Sequence, residues 1–366
     1  MHTPKTYSVA LFGLALTAAV LSAAQSETPR ATPAPAAKKE KADPAAQFNR
    51  PQAPATMPGK GLAQHDFILM GVRSSSDGKG IRMVKGGQVV WSYVDPEVKG
   101  AYYDATMLAN GNLLLAHGRG VRIITPDKKV VWKYEVDPNE HEIDGAEAVG
   151  SDRVVFLMNG SPTARIMVAN IVTGKIEKEV EVPLAATANT KEPRYVHMQA
   201  RRMRLTPSGT ALIAYTNANK VSEYDENGKE VWTASVPSPW SVERLKNGNT
   251  LVESMKMETI ELNPKGETVW KFTKDDAAAQ GYLMDKTQAA MRLPNGNTLI
   301  TVNNETAWKP GTSGPDAWAP AQAIEVTPEK KIVWALRDWN NFYWVSTMQT
   351  LDDPRIKEKL HFGSVR

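Results

Sequence analysis

The sequence predicts an all-β chain of six four-stranded antiparallel sheets closed into a ring, a six-bladed β-propeller, with seven blades as the alternative. Three observations predict it. A two-part phrase recurs along the chain, its turns are of the hairpin type, and the chain ends on a strand with no neighbour to pair with. The first half of the phrase ends in Leu and an Asn-Gly turn: Met107-Leu108-Ala109-Asn110-Gly111-Asn112, Leu245-Lys246-Asn247-Gly248-Asn249 and Leu293-Pro294-Asn295-Gly296-Asn297. Looser copies are Leu205-Thr206-Pro207-Ser208-Gly209 and Val149-Gly150-Ser151-Asp152. The second half runs from a Pro or Gly turn into Val-Trp, placing Trp at 91, 132, 232, 270 and 334, with Ile176 in the third copy.

Each element follows from this rhythm. Asn-Gly between alternating apolar runs is a strong hairpin signal, because both turn residues must accept positive φ. Each repeat therefore holds four short strands, and four-stranded units repeating at roughly 40–50 residues are propeller blades. The first copy starts at His65-Asp66-Phe67 and lacks an innermost strand, while Trp344 to Leu351 is an innermost strand without a blade. Pairing the two removes the exposed sheet edges and closes the ring.

Ahead of the repeats lie two segments of other composition. Residues 1–24 read as a secretory signal: Lys5, an apolar run from Val9 to Leu21, then Ser22-Ala23-Ala24 before Gln25. The expected location is periplasmic or secreted, with no transmembrane segment after signal removal. Residues 25–64 are rich in Pro, Ala and Lys and read as a disordered linker. The propeller is expected over 65–352 and a C-terminal tail over 353–366.

The composition excludes several function classes. The 366 residues include no Cys, which rules out disulfides, thiolate metal sites and cysteine nucleophiles. The 44 Lys+Arg against 40 Asp+Glu give a formal net charge of +4. The linker's six basic and three acidic residues contribute +3 and Lys5 contributes +1, so residues 65–366 are balanced. A balanced body argues against nucleic-acid binding, which needs a basic footprint. There is no phosphate loop, His-Glu-x-x-His, Gly-x-Ser-x-Gly or EF-hand motif.

The Val-Trp signature resembles pyrroloquinoline-quinone-type propeller repeats. The Leu-x-Asn-Gly-Asn rhythm, with Tyr103-Asp104 ahead of it and a six-blade count, is similar to bacterial arylsulfotransferase-like propellers. The resemblance covers 65–352 and implies the fold. Such blades serve quinoprotein enzymes, assembly scaffolds and binding proteins alike. The vicinal cysteines of the quinoprotein pattern are missing and the blades are too few, so no cofactor is expected. A Ca²⁺ site from loop carbonyls and Asp has no motif behind it.

Loop length points to the working surface. Turns between the first and second strands of a blade, and between the third and fourth, are tight. The long connections, over 73–80, 159–165, 184–197, 271–287 and 303–322, all belong to the other class and emerge on one face. Loops of that length in a compact fold are usually functional. Aromatic residues accompany them: Tyr102, Tyr103, Trp240, Tyr343 and Trp344 next to innermost strands, Trp308 and Trp318 in the longest loop. Rings of this kind stack on sugars, aryl groups or partner side chains. Together with Asp104 and Asp144 they form the expected ligand-binding set. The repeating Trp residues are expected instead to pack between blades.

His141 and His197 precede their repeats' reference positions by the same spacing, with Glu142, Asp144, Arg201 and Arg202 nearby. A His beside Arg and carboxylate can act as nucleophile or base, with Arg holding an anion. The resemblance implies a channel-facing His of this kind, without fixing which. His141, His197 and Arg201 are the catalytic candidates, with no metal ligand among them. Three readings follow: an exported monomeric binding module for a glycan, a small aromatic anion or a protein; a sulfotransferase- or polysaccharide-lyase-like enzyme; and a scaffold docking envelope proteins.

Overall fold

The protein's structure, a computed structural model, describes residues 54, 56–71, 80–98, 101–137, 141–160, 163–184, 196–303, 320–342, 344–351 and 360–366. It is a propeller of six four-stranded antiparallel sheets. The innermost strands are Tyr102–Met107, His141–Val149, Ala200–Leu205, Pro239–Arg244 and Thr287–Arg292 in blades 2 to 6. Blade 1 takes its innermost strand, Val345–Thr350, from the far end of the chain, where it pairs antiparallel with Phe67–Gly71. The innermost strands neighbour one another in cyclic order, so the ring is closed. Among the described residues no helix is long and apolar enough to cross a membrane.

The connections divide as the rhythm predicts. Asn-Gly and Pro-containing turns close one face, where glycines such as Gly111, Gly248 and Gly296 sit at φ 84°, 85° and 89°. The opposite face carries the connection from Thr273 to Thr287, which includes a short helix over Lys274–Ala278 capped by Thr273 and Asp276. The loop expected over 159–165 is shorter than its sequence suggests, because strands run to Gly160 and restart at Ala164. The segments 185–195 and 304–319 lie outside the described residues.

The repeating Trp residues join the blades. Trp91, Trp232 and Trp270 each donate their indole N–H to the carbonyl of a proline in the next blade's outer turn, Pro126, Pro264 and Pro328, at 2.8–2.9 Å. A paired indole N–H lets a large apolar ring be buried without stranding a donor.

Besides the joint between blades 2 and 3, where the outer turn Val172-Thr173-Gly174 has no proline for Trp132, two joints are irregular, and each is completed by a chain terminus. The outer turn of blade 1 is Gly86-Gly87 and has no proline. Trp334 of blade 6 instead donates to the carbonyl of Gly61, at 2.8 Å, and Gly59 lies against its ring. Met57 and Leu62 pack on the cores beside this joint. Most of the segment read as linker lies outside the described residues, but 56–64 is packed against the ring. The second irregular joint lies between blades 3 and 4. In every blade the outer strand bulges one step before the Trp position, and in blade 3 this register puts Lys178, not Ile176, in the place of Trp. Lys178 reaches Glu226, at the proline position of blade 4's outer turn, at 2.8 Å. The tail's Phe362, fully buried, lies under the Lys178 ammonium, and Ser364 bonds Glu226 at 2.8 Å. The tail thus fills the volume a Trp occupies elsewhere.

Candidate functional site

Every innermost strand carries a β-bulge at its long-loop end. The pairing registers leave extra residues at Tyr103, at Asp144–Gly145, at Arg201–Arg202, at Trp240, at Gln288 and at Ser346. A bulge turns a side chain out of the regular alternation, and here four of them bring Tyr103, Asp144, Arg201 and Trp240 together.

These residues converge with two others. Arg201, 2% exposed, lies between two rings, its guanidinium carbon 3.9 Å from the Trp240 centroid and 5.1 Å from that of Tyr103. Its Nη1 is 3.1 Å from Asp144 and 3.6 Å from Glu142, and donates to the His197 carbonyl at 2.9 Å. The His197 Nδ1 is 2.9 and 3.0 Å from the two Glu142 oxygens, and 2.8 Å from Arg201 Nη1. Nδ1 holds one bond. Two contacts from Nδ1 to the oxygens of one carboxylate call for an Nδ1–H, which donates to Glu142; both Asp144 oxygens and Arg201 Nε form no hydrogen bond among the described residues. The His197 side chain is 38% exposed, and its Nε2 is then the nitrogen left for a ligand. Trp240 is fixed by its N–H to Gln288 Oε1, at 2.9 Å.

The two carboxyls are pushed apart. Burial raises Asp144 well above the usual carboxylate range, against the pull of Arg201 and with the push of Glu142. Burial acts on Glu142 too, but its bond to His197 and the nearby Arg201 hold it below the ordinary value. Burial and the two carboxylates raise the Tyr103 phenol. This is the pattern of acid–base sites, where neighbouring titratable groups are separated by environment. Arg201 is neutralised by Glu142 and closed off from solvent, so it orients the cluster instead of meeting an incoming anion. Glu142, Asp144 and His197 also place donor atoms within 4.8 Å of one another, but the Arg201 guanidinium occupies the space a cation needs.

The remaining candidates are placed elsewhere. His141 sits opposite Gly160, one residue before Glu142, so it takes the other face of the strand. Tyr102 is fully buried, its hydroxyl accepting from the Asp95 N–H at 2.7 Å. Asp104 lies deeper in the channel, clamping Arg204 at 2.5 and 2.9 Å. Trp240 and Trp344 are 5% and 4% exposed, which leaves little ring face open for stacking. Trp308, Trp318 and Tyr343 lie outside the described residues. Sequence reasoning named Glu142 only as a neighbour, and it missed Gln288 and Ser346. A bulge leaves no mark in the hydrophobic alternation that could have found them.

The fold and this cluster define a β-propeller with a histidine–carboxylate–arginine group at one channel mouth. No family model and no curated protein matches the chain. Solved structures do resemble it. A Bacteroides caccae protein of unknown function aligns at TM-score 0.64 and 20% identity, over 78% of this chain and 98% of that one. A Lactobacillus plantarum protein aligns at TM-score 0.52 and 10% identity, over 79% and 100%. A streptogramin B lyase aligns at 0.48 and 12%, over 75% and 89%. At these identities the likeness is one of fold alone.

Proposed function

We propose that the long-loop mouth is a small-molecule site in which His197 acts as base or nucleophile on a glycan or small aromatic anion. One observation carries this reading: a half-exposed imidazole whose Nδ1 is committed to Glu142 and whose Nε2 is left over. Glu142 fixes the tautomer and stabilises the imidazolium formed when Nε2 takes a proton, as a buried carboxylate does in other histidine-based sites. Arg201, stacked between Tyr103 and Trp240, holds Glu142 and the His197 carbonyl in register. Group transfer of the arylsulfotransferase kind and uronate elimination of the lyase kind both use such a base. The signal-like residues 1–24 support a periplasmic or secreted location.

A second reading, binding without turnover, is favoured by the cluster's internal neutralisation. Turnover of aryl sulfates and uronic-acid polymers by the wild type and by His197→Ala and Glu142→Gln separates the two. Removing a general base typically costs about 10²–10⁴-fold in rate. A loss of that size in His197→Ala, with a smaller one in Glu142→Gln, supports the enzyme. Undiminished turnover in His197→Ala contradicts it. Ligand affinity without turnover in the wild type favours the binding reading.

A further inference from the structure

The opposite mouth of the channel holds a cavity of about 550 Å³. It opens among the tight turns, at Pro207, Asn247 and Pro294, away from His197. Its wall is apolar over Leu205, Val242, Leu245, Met291 and Leu293, and Leu360 of the docked tail contributes to it. This volume falls in the range of small-molecule sites, which combine apolar walls with a few placed polar groups.

The charges lining the cavity are not equivalent: of its two carboxylates, Glu147 pairs with Arg204 at 3.3 Å and Glu243 accepts the Arg292 backbone N–H at 3.1 Å. Arg204, Arg244 and Arg292 are each held by a carboxylate, from Asp104, Glu223 and Glu261 respectively. Arg202 is not. It lies at the inner end of the cavity, 2% exposed, and crosses the channel from blade 4. Its Nη2 donates to the carbonyls of Tyr103 and Ser346 at 2.7 and 2.9 Å. Its Nη1 has no hydrogen-bond partner and no ion pair among the described residues. Burial lowers it only to about 10, so the guanidinium is charged at neutral pH. A buried, charged donor with no partner is costly to leave unmet. At the rim, the exposed Lys246 also forms no ion pair among the described residues. The arrangement is an apolar wall with an unpaired cation at its inner end and another at its mouth.

We propose that this cavity binds an organic anion with an apolar body, its charged group on Arg202 and its body along Leu245, Met291 and Leu360. The site is independent of the reading of His197. Anilinonaphthalene sulfonate is the probe, its fluorescence titrated on the folded full chain, with decanoate and decanol as competitors. Saturable binding at one equivalent is expected, displaced by decanoate at about tenfold or more lower concentration than by decanol, the ratio a charge-assisted hydrogen bond supplies. Met291→Trp, which fills the cavity, removes binding; Lys246→Glu weakens it; Arg202→Met abolishes it; His197→Ala leaves it unchanged. Equal displacement by decanol, unsaturable binding, or wild-type affinity in Met291→Trp overturns the proposal. Where Arg202→Met does not fold, Met291→Trp and Lys246→Glu decide: loss in both supports the site, and no loss in either refutes it.

Discussion

Phe362→Ala tests whether the tail is a structural part of the ring. Phe362 is fully buried among residues of blades 3 and 4, including Val149, Val180, Leu205 and Tyr224. If the tail stays docked, the substitution opens a cavity, and Phe→Ala in a core costs about 3–5 kcal/mol. If the tail peels away, the loss is about the 1.5–3 kcal/mol of burying the ring. To that are added the Ser364 bonds to Glu226, each worth roughly 0.5–1.5 kcal/mol. The two routes give about 3–5 and about 2.5–6 kcal/mol. For a body of this size, roughly 2 °C per kcal/mol puts the fall in Tm near 5–12 °C. The assay is thermal unfolding followed by circular dichroism, beside a chain ending before Leu360. The truncated chain should unfold where Phe362→Ala does or a little lower. A double change, Lys178→Trp with Glu226→Pro, rebuilds the regular joint and should recover stability in the truncated chain. A shift below about 1 °C for both Phe362→Ala and the truncation, less than the burial of one ring supplies, refutes the joint.

Three further outcomes are expected. Deleting residues through Gly61 strands the buried Trp334 N–H, bonded at 2.8 Å in the intact chain; a loss of about 1–3 kcal/mol is expected in urea unfolding, and Trp334→Phe should reduce it. Burial raises Glu253 from 4.5 to about 8, so the unfolded chain ionises this group first. Its contribution is therefore fully present below pH 4.5 and is lost as pH rises through 8, and Glu253→Gln should flatten that decline in stability measured against pH. Arg204→Met removes the two bonds that clamp the buried Asp104 and should cost about 3–5 kcal/mol in chemical denaturation, with Arg204→Met/Asp104→Leu recovering part of it.

The blade count, the closure by the last strand and the tight-turn face were legible because each rests on a local pattern repeated many times. Asn-Gly turns and Val-Trp steps are short-range signals. What failed to show in the sequence is long-range. Lys178 takes the Trp position because of a bulge one residue earlier, and only the pairing of Val168 with Lys178 reveals it. The tail Leu360-His361-Phe362 has no periodicity, so nothing in its sequence says it docks. The cluster was half legible. His197 and Arg201 are close along the chain, whereas Glu142 reaches His197 across 55 positions. The ring of bulge residues is assembled from six separate blades. The aromatic residues chosen for stacking were read from position in the repeat, which does not distinguish an open ring face from the buried face of Trp240.

The central claim is that Glu142 holds His197 with Nε2 presented to the channel mouth. Nitrogen NMR of imidazole-labelled protein, with His197 assigned by loss of its signals in His197→Gln, measures this directly. The account predicts that neutral His197 carries its proton on Nδ1, and that Glu142→Gln shifts the balance toward the other tautomer. A neutral His197 protonated on Nε2 in the wild type contradicts it.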